Sequence, residues 1–556
     1  MDQDYQHRVF DYQKSADQNV AQTRHPVIVI GAGPVGLATA IDLAQQGVRT
    51  VLLDDDNTLS TGSRAICFAK RTLEIFDRLH CADPMVEKGV GWNVGRVFFK
   101  DEAVYSFDLL PETGHHRPAF INLQQYYVEG YLHDQARACP NLDIRWKNKV
   151  VGLTQLADQV ELVIDTPDGQ YALQADYVVA ADGGRSAVRG LMGLESHGRT
   201  FKDRFLIADV KMTAAFPSER WFWFDPPFHP HQSVLLHRQP DNVWRIDFQL
   251  GWDADPEAEK LPERVIPRVQ ALLGNDAKFE LEWVSVYTFR CMRMDHFRHG
   301  RVLFAGDAAH GVSPFGARGA NSGVQDADNL VWKLRLVLNG QAPHTLLDSY
   351  ASEREHAADE NILNSTRSTD FITPKSAVSR LFRDAVLSLS KDYPFARKLV
   401  NSGRLSVPAT YADSLLNTPD RDLFAGAMVP GAPSTDAPVL IDGQPQWFLG
   451  LTGNDFTGIF FAGELADVGR YRDAFDTLSD ASIPVRTVVV LPGGTYAEAL
   501  SGMSVAEDSQ GLLAQRFDAT PGTYYLLRPD QHVCARWRQF DVDAVQSAVL
   551  RASANN

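Results

Sequence analysis

Cysteine is scarce in this sequence and never paired. Five cysteines stand singly among 556 residues, and no two of them form C-x-x-C. An odd number of scattered cysteines argues against a disulfide framework, and without C-x-x-C there is no dithiol redox centre. We therefore expect a reduced, metal-free protein of the cytoplasm.

Long apolar runs and an excess of positive charge are also missing. No apolar run approaches the ~18 residues that suggest a membrane span, and residues 1–24 lack the apolar core of a signal peptide. Asp and Glu number 70 against 54 Lys and Arg, and the net charge of −16 argues against general nucleic-acid binding. A chain of 556 residues is too long for one core, so two or three domains are expected.

The stretch from Val27 to Asp54 carries the clearest motif. It contains Gly31, Gly33 and Gly36 in the order G-x-G-x-x-G and ends on the acidic Asp54. Its pattern predicts a buried strand at 27–30 before the glycines. A helix over 38–46, capped by Gly47, and a second strand at Thr50–Leu53 are predicted after them. Gly31 allows a tight turn, Gly33 lets the backbone approach a pyrophosphate, and Gly36 lets the helix pack closely on the strand. G-x-G-x-x-G alone is weak, but in this strand–helix–strand–acid order it predicts a dinucleotide site.

Two later apolar strands end in a similar way. Residues 177–181 lead into Asp182 and Gly183, and residues 301–305 lead into Gly306 and Asp307. A glycine-rich turn follows, and a long helix is predicted after residue 323. Taken singly, Asp182 is as well explained by an Asp-Gly turn and Asp307 by a helix start. Together, in this order, they favour further contacts to the same cofactor.

The three motifs resemble those of the single-component FAD-dependent aromatic hydroxylases, the class of p-hydroxybenzoate hydroxylase and phenol hydroxylase. A small α/β unit from about residue 436 makes the chain similar to the phenol hydroxylase and 3-(3-hydroxyphenyl)propionate hydroxylase branch. The resemblance covers roughly residues 25–540. It implies an α/β fold: a Rossmann-like FAD-binding domain with an inserted, mainly antiparallel β-sheet substrate domain and a C-terminal thioredoxin-like domain.

The predicted division of the chain combines this resemblance with composition. Residues 200–290 hold Trp, Phe and His in alternating runs, which favours an antiparallel sheet. The predicted parts are a flexible or loosely docked N-terminal arm (1–24), the FAD-binding domain with following helices (25–190 and 291–400), the substrate-binding sheet domain (191–290), a linker (401–435) and the thioredoxin-like domain (436–556).

The resemblance also implies which residues hold FAD. Asp54 would contact the adenosine ribose, Asp307 the ribityl chain, and Asp182 both FAD and the approaching nicotinamide. The full implied set is Gly31, Gly33, Gly36, Asp54, Arg64, Gln125, Asp182, Gly183, Gly306, Asp307, Pro314, Gly316, Gly319, Ala320 and Asn321. The turn formed by the last five would bring backbone N–H groups of its residues other than Pro314 to the isoalloxazine ring, where reduced flavin is negatively charged. Arg318 departs from the family, since relatives often carry Gln or Lys there.

The implied reaction is hydroxylation of a phenolic compound. NADPH or NADH would bind transiently and reduce the bound FAD, and O₂ would then form a flavin C4a-hydroperoxide that the phenolate attacks. The implied partners are a small phenolic substrate and a second copy of the chain in a homodimer. The sequence leaves the choice between NADH and NADPH open.

The catalytic residues are less well defined by the sequence. A base for the phenol is needed, and His237, Tyr287 and Arg245 are candidates to bind or polarise its hydroxyl, although residues of each type are more often surface or satisfied core residues. Residues 221–237 with Trp244, Phe248, Tyr287 and Phe289 are candidate walls of a pocket that excludes water, or an ordinary sheet core. The run from Trp221 to Pro226 is close to the W-x-W-x-I-P of flavin-dependent halogenases, with Asp225 in place of Ile. A halogenase and a non-catalytic flavin-binding protein are therefore the alternatives.

Overall fold

The computed structural model describes residues 5, 7–20, 23–62, 64–214, 216–400, 405, 407–494 and 503–555. Its strands are β1 (Thr23–Ile30), β2 (Thr50–Leu53), β3 (Cys67–Ala69), β4 (Val90–Trp92), β5 (Val94–Phe99), β6 (Glu102–Asp108), β7 (Phe120–Asn122), β8 (Leu142–Arg145), β9 (Lys149–Gln155), β10 (Val160–Thr166), β11 (Gly169–Ala180), β12 (Ser196–Lys211), β13 (Arg220–Phe224), β14 (Ser233–Arg238), β15 (Val243–Leu250), β16 (Glu280–Met294), β17 (Arg298–His299), β18 (Val302–Phe304), β19 (His310–Gly311), β20 (Pro438–Ile441), β21 (Gln444–Trp447), β22 (Phe456–Phe461), β23 (Val485–Pro492), β24 (Ser504–Asp508), β25 (Tyr524–Leu527) and β26 (Val533–Trp537).

The α-helices of the same part are α1 (Pro34–Gln45), α2 (Lys70–Arg78), α3 (Ala82–Lys88), α4 (Gln125–Ala138), α5 (Ala187–Leu191), α6 (Pro256–Glu259), α7 (Pro262–Leu273), α8 (Gly319–Leu338), α9 (Leu346–Ile372), α10 (Ala377–Ser390), α11 (Pro394–Val400), α12 (Leu465–Ser479), α13 (Leu512–Arg516) and α14 (Val542–Ala552). None of these helices is long and apolar enough to cross a membrane.

The first sheet carries the dinucleotide motif at its centre. Its strand order is β17-β18-β11-β1-β2-β8, with β10 and β9 added through β11. Strand β1 runs parallel to β11 and β2, and β11 runs parallel to β18. Strands β2 and β18 are wholly buried and, apart from Thr50, apolar, as parallel strands covered on both faces are. Helix α1 starts at Pro34, earlier than predicted, because proline suits the first helical position.

The second sheet is mainly antiparallel, with strand order β19-β16-β12-β15-β14-β13-β5-β6. Strands β5 and β6 come from residues 94–108, outside the predicted range 191–290, and β16 continues to Met294. The range 191–290 therefore leaves out part of this sheet. Strand β5 belongs to this sheet because it pairs in parallel with β13. It thereby satisfies backbone groups of β13 that would otherwise form an open sheet edge.

The third sheet lies in the C-terminal part, with strand order β21-β20-β24-β23-β22-β25-β26. Strands β22, β23 and β24 are parallel, and β25 and β26 are antiparallel to their neighbours. The apolar run at 447–451 predicts a strand, and this prediction is wrong: β21 ends at Trp447 and a 3₁₀ turn, Phe448–Leu451, follows. Asp436 accepts the backbone N–H of Leu449 and fixes that turn. The sequence also predicts a helix at 496–503, and almost all of this range lies outside the described residues.

The N-terminal arm is held by specific contacts and is not loosely docked. Tyr5 is buried, and its hydroxyl donates to Asp134 at 2.7 Å. The ring of Phe10 stacks on Trp146 with the centroids 4.4 Å apart. A Cβ on Gly130 would lie 2.4 Å from the Tyr5 ring, so the glycine in α4 makes room for the arm.

Candidate functional site

The three sequence motifs meet at one edge of the first sheet. Ile30 pairs with Ala180, and Ala180 pairs with Phe304, so β1, β11 and β18 end side by side. The G-x-G-x-x-G turn, Asp182 and Asp307 therefore follow three adjacent parallel strands, and Asp54 follows the next strand, β2. The carboxyl edge of such a sheet is where nucleotide ligands bind in open α/β folds.

The glycine turn allows very close approaches. Gly31 has φ +103°, and a Cβ there would lie 2.5 Å from the carbonyl oxygen of Ala181. A Cβ on Gly36 would lie only 1.8 Å from the carbonyl oxygen of Gly31. Gly33 differs, because a Cβ there would meet nothing within 4 Å among the described atoms. Gly33 thus borders open space in front of the N-terminus of α1, where a pyrophosphate fits.

Two carboxylates border this groove. Asp54 accepts backbone N–H groups from Ala32 at 2.5 Å and Asp56 at 2.8 Å. Burial raises the pKa of Asp54 to about 6, so it is largely ionised at neutral pH. Asp182 accepts the N–H of Val188 through Oδ2, while its buried Oδ1 has no hydrogen-bond partner among the described residues. An orphaned acceptor in this position suits a ligand that brings hydroxyl donors.

Gln125 and Glu129 shape the loop that carries Arg64. The Gln125 side chain accepts the N–H of Ala65 at 3.0 Å and donates to Glu129 at 2.7 Å. Glu129 in turn accepts the N–H of Ser60. Arg64 itself is exposed, and its role toward the flavin stays a prediction. The described contacts of Gln125 hold this loop, and the remaining amide hydrogen is available to a ligand.

The flavin end of the groove is formed by the turn before α8. Asp307 is solvent-exposed, with Gly319 at the first position of α8 beside it. Helix α8 starts at Gly319, five residues before the predicted start, so Gly319, Ala320 and Asn321 form its first turn, where N–H groups have no partner within the helix. The Asn321 side chain accepts the N–H of Ala69 and donates to the carbonyl of Cys67, which fixes β3 against this turn.

The groove therefore fits FAD on three features of its own atoms. Two helices, α1 and α8, direct their N-termini into it, and such ends attract negative charge. The turn at Gly33 leaves room for a close approach, and Asp182 offers an unused acceptor. The predicted residues Gly183 and Gly306 have φ of +78° and +61°, in the region that favours glycine.

The second sheet presents one of its faces to this groove. Cross-strand pairing arranges that face in rows, the first of which is Gly95, Arg220, His237, Arg245, Asp209 and Trp283. The next row is Val97, Phe222, Leu235, Asp247, Ile207 and Ser285. Arg245 Nη1 donates to the carbonyl of Arg64 at 3.3 Å, and Phe315 of the flavin turn packs on Phe205 and Phe289. This face, called the inner face below, is the candidate substrate wall.

Strand alternation divides the predicted aromatic walls between two faces. Phe222, Phe224 and Phe289 lie with the inner-face cluster, and Tyr287 stacks near Phe289. Trp221, Trp223, Trp244 and Phe248 instead pack with α7 on the opposite face. The latter group forms ordinary sheet core and does not line the groove. Successive side chains of a strand point to opposite faces, so a contiguous aromatic run cannot all line one pocket.

His237 is the candidate catalytic residue with the most distinctive surroundings. It is 1% exposed, and its Nε2 lies 3.3 Å from Oδ2 of Asp247. Neither ring nitrogen makes a hydrogen bond of acceptable geometry to the described residues. Burial first, and then the charge of Arg220, lower the pKa of His237 from 6.5 to about 4, against the opposing effect of Asp247. The imidazole is therefore neutral at pH 7 and has a free lone pair.

The other two candidates have different surroundings. Arg245 is the cross-strand neighbour of His237, but its Nε donates to Asp209 at 2.8 Å and its Nη2 at 3.1 Å, a buried bidentate pair. Tyr287 is 45% exposed and lies three strands away from His237, with β15 and β12 between them. The structure thus brings His237 and Arg245 together and places Tyr287 at the open side of the inner face.

Comparison with known proteins identifies the family of this chain. The model of the family described as FAD binding domain matches residues 24–365. The chain belongs to this FAD-binding family. It is similar to a flavin-dependent monooxygenase of Mycobacteroides abscessus (30% identity, covering 80% of this chain and 90% of that protein). It is also similar to a 3-(3-hydroxy-phenyl)propionate/3-hydroxycinnamic acid hydroxylase of Burkholderia cenocepacia (29% identity, 93% and 94% covered).

A solved structure confirms the fold. The flavin-dependent monooxygenase PieE, solved with FAD and substrate, superposes with a TM-score of 0.77 over 96% of this chain and 99% of that one, at 21% identity. The predicted α/β fold class is confirmed, and so are the predicted cofactor FAD and the expected class of enzyme, a flavin-dependent monooxygenase.

Two inner-face residues of this FAD-binding enzyme escaped the sequence reasoning. Asp247 lies 3.3 Å from His237, and Arg220 starts β13 with its side chain buried. Side chains two residues apart in a strand lie on the same face, so Asp247 shares the face of Arg245 in β15. This alternation could have identified Asp247 from the sequence once Arg245 was a candidate. For Arg220, the sequence shows only an arginine before an aromatic run.

We expect His237→Gln to remove part of the acid sensitivity of the fold. The unfolded chain binds a proton near the ordinary histidine pKa of 6.5, whereas the folded chain binds it only near 4. The stability of the folded state is therefore lost as pH falls through this window. Between about pH 7 and pH 5, the free energy of unfolding should fall by about 2 kcal/mol more in the wild type than in the variant, measured with urea. His197→Gln, exposed on the same sheet, should behave as the wild type. Equal losses in wild type and His237→Gln would contradict the assignment.

Proposed function

We propose that this chain is an FAD- and NAD(P)H-dependent monooxygenase that hydroxylates a phenolic compound. The observation that carries the proposal is the neutral, buried His237 with Asp247 beside it, on the sheet face that meets the flavin loops. A neutral imidazole can accept a hydrogen bond from the hydroxyl of a phenol and polarise it, which makes the ring more nucleophilic. The hydroxylase of Burkholderia cenocepacia is named for substrates that are phenols, which supports the same substrate class.

The remaining residues have supporting roles in this proposal. Bound FAD supplies the passage of electrons from NAD(P)H to O₂. Gly31, Gly33 and Asp54 would hold its pyrophosphate and ribose, and the first turn of α8 would face its ring. The cluster of Phe205, Phe289 and Phe315 lies between the inner face and the flavin turn, with ring centroids 4.7–5.2 Å apart, and would keep water away from the reacting atoms.

Oxidation of NADH and NADPH by the FAD-loaded protein, with and without a panel of phenols, tests the proposal. We expect one phenol to stimulate oxidation and to give a product that contains one oxygen atom from ¹⁸O₂. We expect His237→Gln to lower the rate of hydroxylation by roughly 100-fold, the usual contribution of a positioned base. His197→Gln, on an exposed part of β12, should leave that rate unchanged.

The same assay separates the alternatives. Stimulated NAD(P)H oxidation that gives only hydrogen peroxide identifies a phenol that binds without being hydroxylated, so the search continues to a better one. A halogenated product in the presence of chloride or bromide would support the halogenase. Bound FAD without stimulation by any phenol would support a non-catalytic flavin-binding protein and contradict the proposal.

The remaining predictions stay proposals as well. The oxidation assay with NADH and with NADPH decides which of the two coenzymes the protein prefers. A homodimer is proposed because α10 exposes Val378, Leu381 and Phe382 on one face, apolar surface that a second copy would cover. The predicted domain limits, with residues 94–108 and 291–294 added to the sheet domain, are also proposed. So is the cytoplasmic location, because the five cysteines are separate, buried thiols.

A further inference from the structure

Arg220 is a buried cation without an anion. It is 4% exposed, and neither its Nε nor its Nη1 has a hydrogen-bond partner among the described residues. The same residues supply no carboxylate within 4.0 Å of its guanidinium, which lies 4.9 Å from the Phe222 ring centroid and 5.9 Å from that of Trp92. Such an arrangement is costly, because a buried charge is stable only when paired.

The neighbours of Arg220 have unused polar atoms too. The antiparallel register pairs Trp221 with Leu236, and its continuation places Arg220 opposite His237. Nδ1 and Nε2 of His237 and Oδ1 of Asp247 are buried without a hydrogen-bond partner in the described part of the chain. Five polar atoms of three adjacent side chains therefore lack partners on one patch of the inner face. A patch of this kind is expected where a polar ligand completes the hydrogen bonds.

The charges of this patch indicate the sign of the ligand. Arg245 is neutralised by Asp209 in the bidentate pair, so it does not compete for an incoming anion. Asp247 lies 3.3 Å from His237, and its charge acts on Arg220 without forming an ion pair with it among the described residues. Burial lowers the pKa of Arg220, yet a guanidinium stays charged at neutral pH. An oxygen with negative charge is the group that this cation lacks.

We propose that Arg220 binds an anionic oxygen of the aromatic substrate and is thereby a catalytic residue of this enzyme. The inference rests on the proposed function, since it names the group that the phenol presents. The anionic oxygen has two sources: the phenolate itself, or a carboxylate carried by the ring. In the first case the O–H bond of the phenol breaks, its proton moves to His237, and the phenolate oxygen lies against Arg220. The site then gains no net charge, because one proton has moved within it.

The test compares Arg220→Met and Arg220→Lys with the wild type, all loaded with FAD and without NAD(P)H. The probes are phenol, 3-(3-hydroxyphenyl)propionate and 3-(3-methoxyphenyl)propionate, which carry the hydroxyl, both groups, and the carboxylate alone. Binding is measured by the change in the flavin spectrum, and ionisation of the bound phenol by its phenolate absorption. Arg238→Met is the matched control, because Arg238 lies next to His237 on β14 and stacks on Trp244, on the opposite face.

We expect Arg220→Met to raise the dissociation constant of the preferred probe by 10- to 100-fold, with a partial effect for Arg220→Lys and none for Arg238→Met. An effect on phenol, with loss of phenolate absorption, assigns Arg220 to the phenolate. An effect confined to the two propionates assigns it to a carboxylate. Arg220→Met should also melt at a higher temperature than the wild type without ligand, since an unpaired buried charge is removed.

Two results would overturn the inference. One is that Arg220→Met binds every probe as the wild type does. The other is a lower melting temperature of the ligand-free Arg220→Met variant with unchanged binding, which is the signature of a structural arginine. The proposed function fails differently: the wild type would then bind a probe and show the Arg220 dependence, yet no probe would stimulate NAD(P)H oxidation or gain oxygen.

Discussion

Gly33→Ala is expected to fold like the wild type and to lose about 10- to 100-fold in FAD affinity. A methyl group at Gly33 meets no described protein atom within 4 Å, so the apoprotein accepts it. The space in front of Gly33 is where the pyrophosphate would approach the backbone, and steric overlap of this kind costs about 1–3 kcal/mol. Titration of the apoprotein with FAD, followed by flavin fluorescence, measures the affinity, and circular dichroism checks the fold.

Two further glycines provide the comparison. Gly36→Ala should destabilise the protein itself, because its methyl group would lie 1.8 Å from the carbonyl oxygen of Gly31. Gly469→Ala, exposed in the middle of α12 with nothing within 4 Å, should change neither property by more than about 1 kcal/mol. If Gly33→Ala bound FAD with wild-type affinity, the pyrophosphate would have to lie elsewhere.

The second large effect is expected for Arg528→Met, at the contact between the third sheet and the FAD-binding helices. Arg528 is fully buried and donates to both carboxylate oxygens of Glu353, at 2.7 and 3.1 Å. Glu353 also accepts from Lys333 at 2.8 Å, and Arg528 pairs with Asp530. Although burial alone would raise the pKa of Glu353, the charges of Arg528 and Lys333 hold it well below its usual range.

Removal of Arg528 leaves two buried carboxylates facing one lysine. Breaking a buried pair in this way costs about 3–5 kcal/mol. Because Lys333 and Glu353 lie on α8 and α9, we expect FAD release and loss of helical signal to shift together to lower temperature. Arg538→Met breaks a partly exposed pair with Asp518 on the same C-terminal part and should lower the melting temperature much less than Arg528→Met does. If Arg528→Met melted and released FAD at the same temperature as the wild type, Arg528 would not couple the third sheet to the FAD-binding helices.

The sequence was sufficient where one local pattern determines one local structure. The glycines at 31–36, with strands before and after them, predict the turn that the structure contains. Asp182 and Asp307 follow apolar strands, and parallel strands of one sheet end at a common edge, so their meeting with the glycine turn was predictable. The early start of α8 was not, because Gly319 and Gly323 are poor helix formers. Packing decides there: a Cβ on Gly323 would lie 2.5 Å from a methyl group of Val35.

The face of the second sheet that lines the groove could not be predicted from local sequence, because it is determined by contacts between residues far apart in the chain. Because side chains alternate along a strand, the sequence predicts that Trp223 and Phe222 lie on opposite faces of the sheet. Only the position of the FAD-binding domain decides which of the two faces lines the groove. The ion network of Arg528 with Glu353 joins residues 175 apart in sequence, and no local pattern connects them. Arg220 could not be recognised because its distinguishing property is the absence of a nearby anion, which is a feature of three-dimensional packing.

The second sheet is built from two separate segments of the chain, and this has a consequence for chimeric enzymes. Residues 94–108 supply two of its strands, and Phe222 lies between Val97 of β5 and Leu235 of β14. Exchanging only 191–290 with a relative would set a foreign β13 against the resident β5, and the two would mismatch at Arg220 and Phe222. A transplant intended to change substrate selectivity should therefore include both segments, even though about eighty residues of chain separate them.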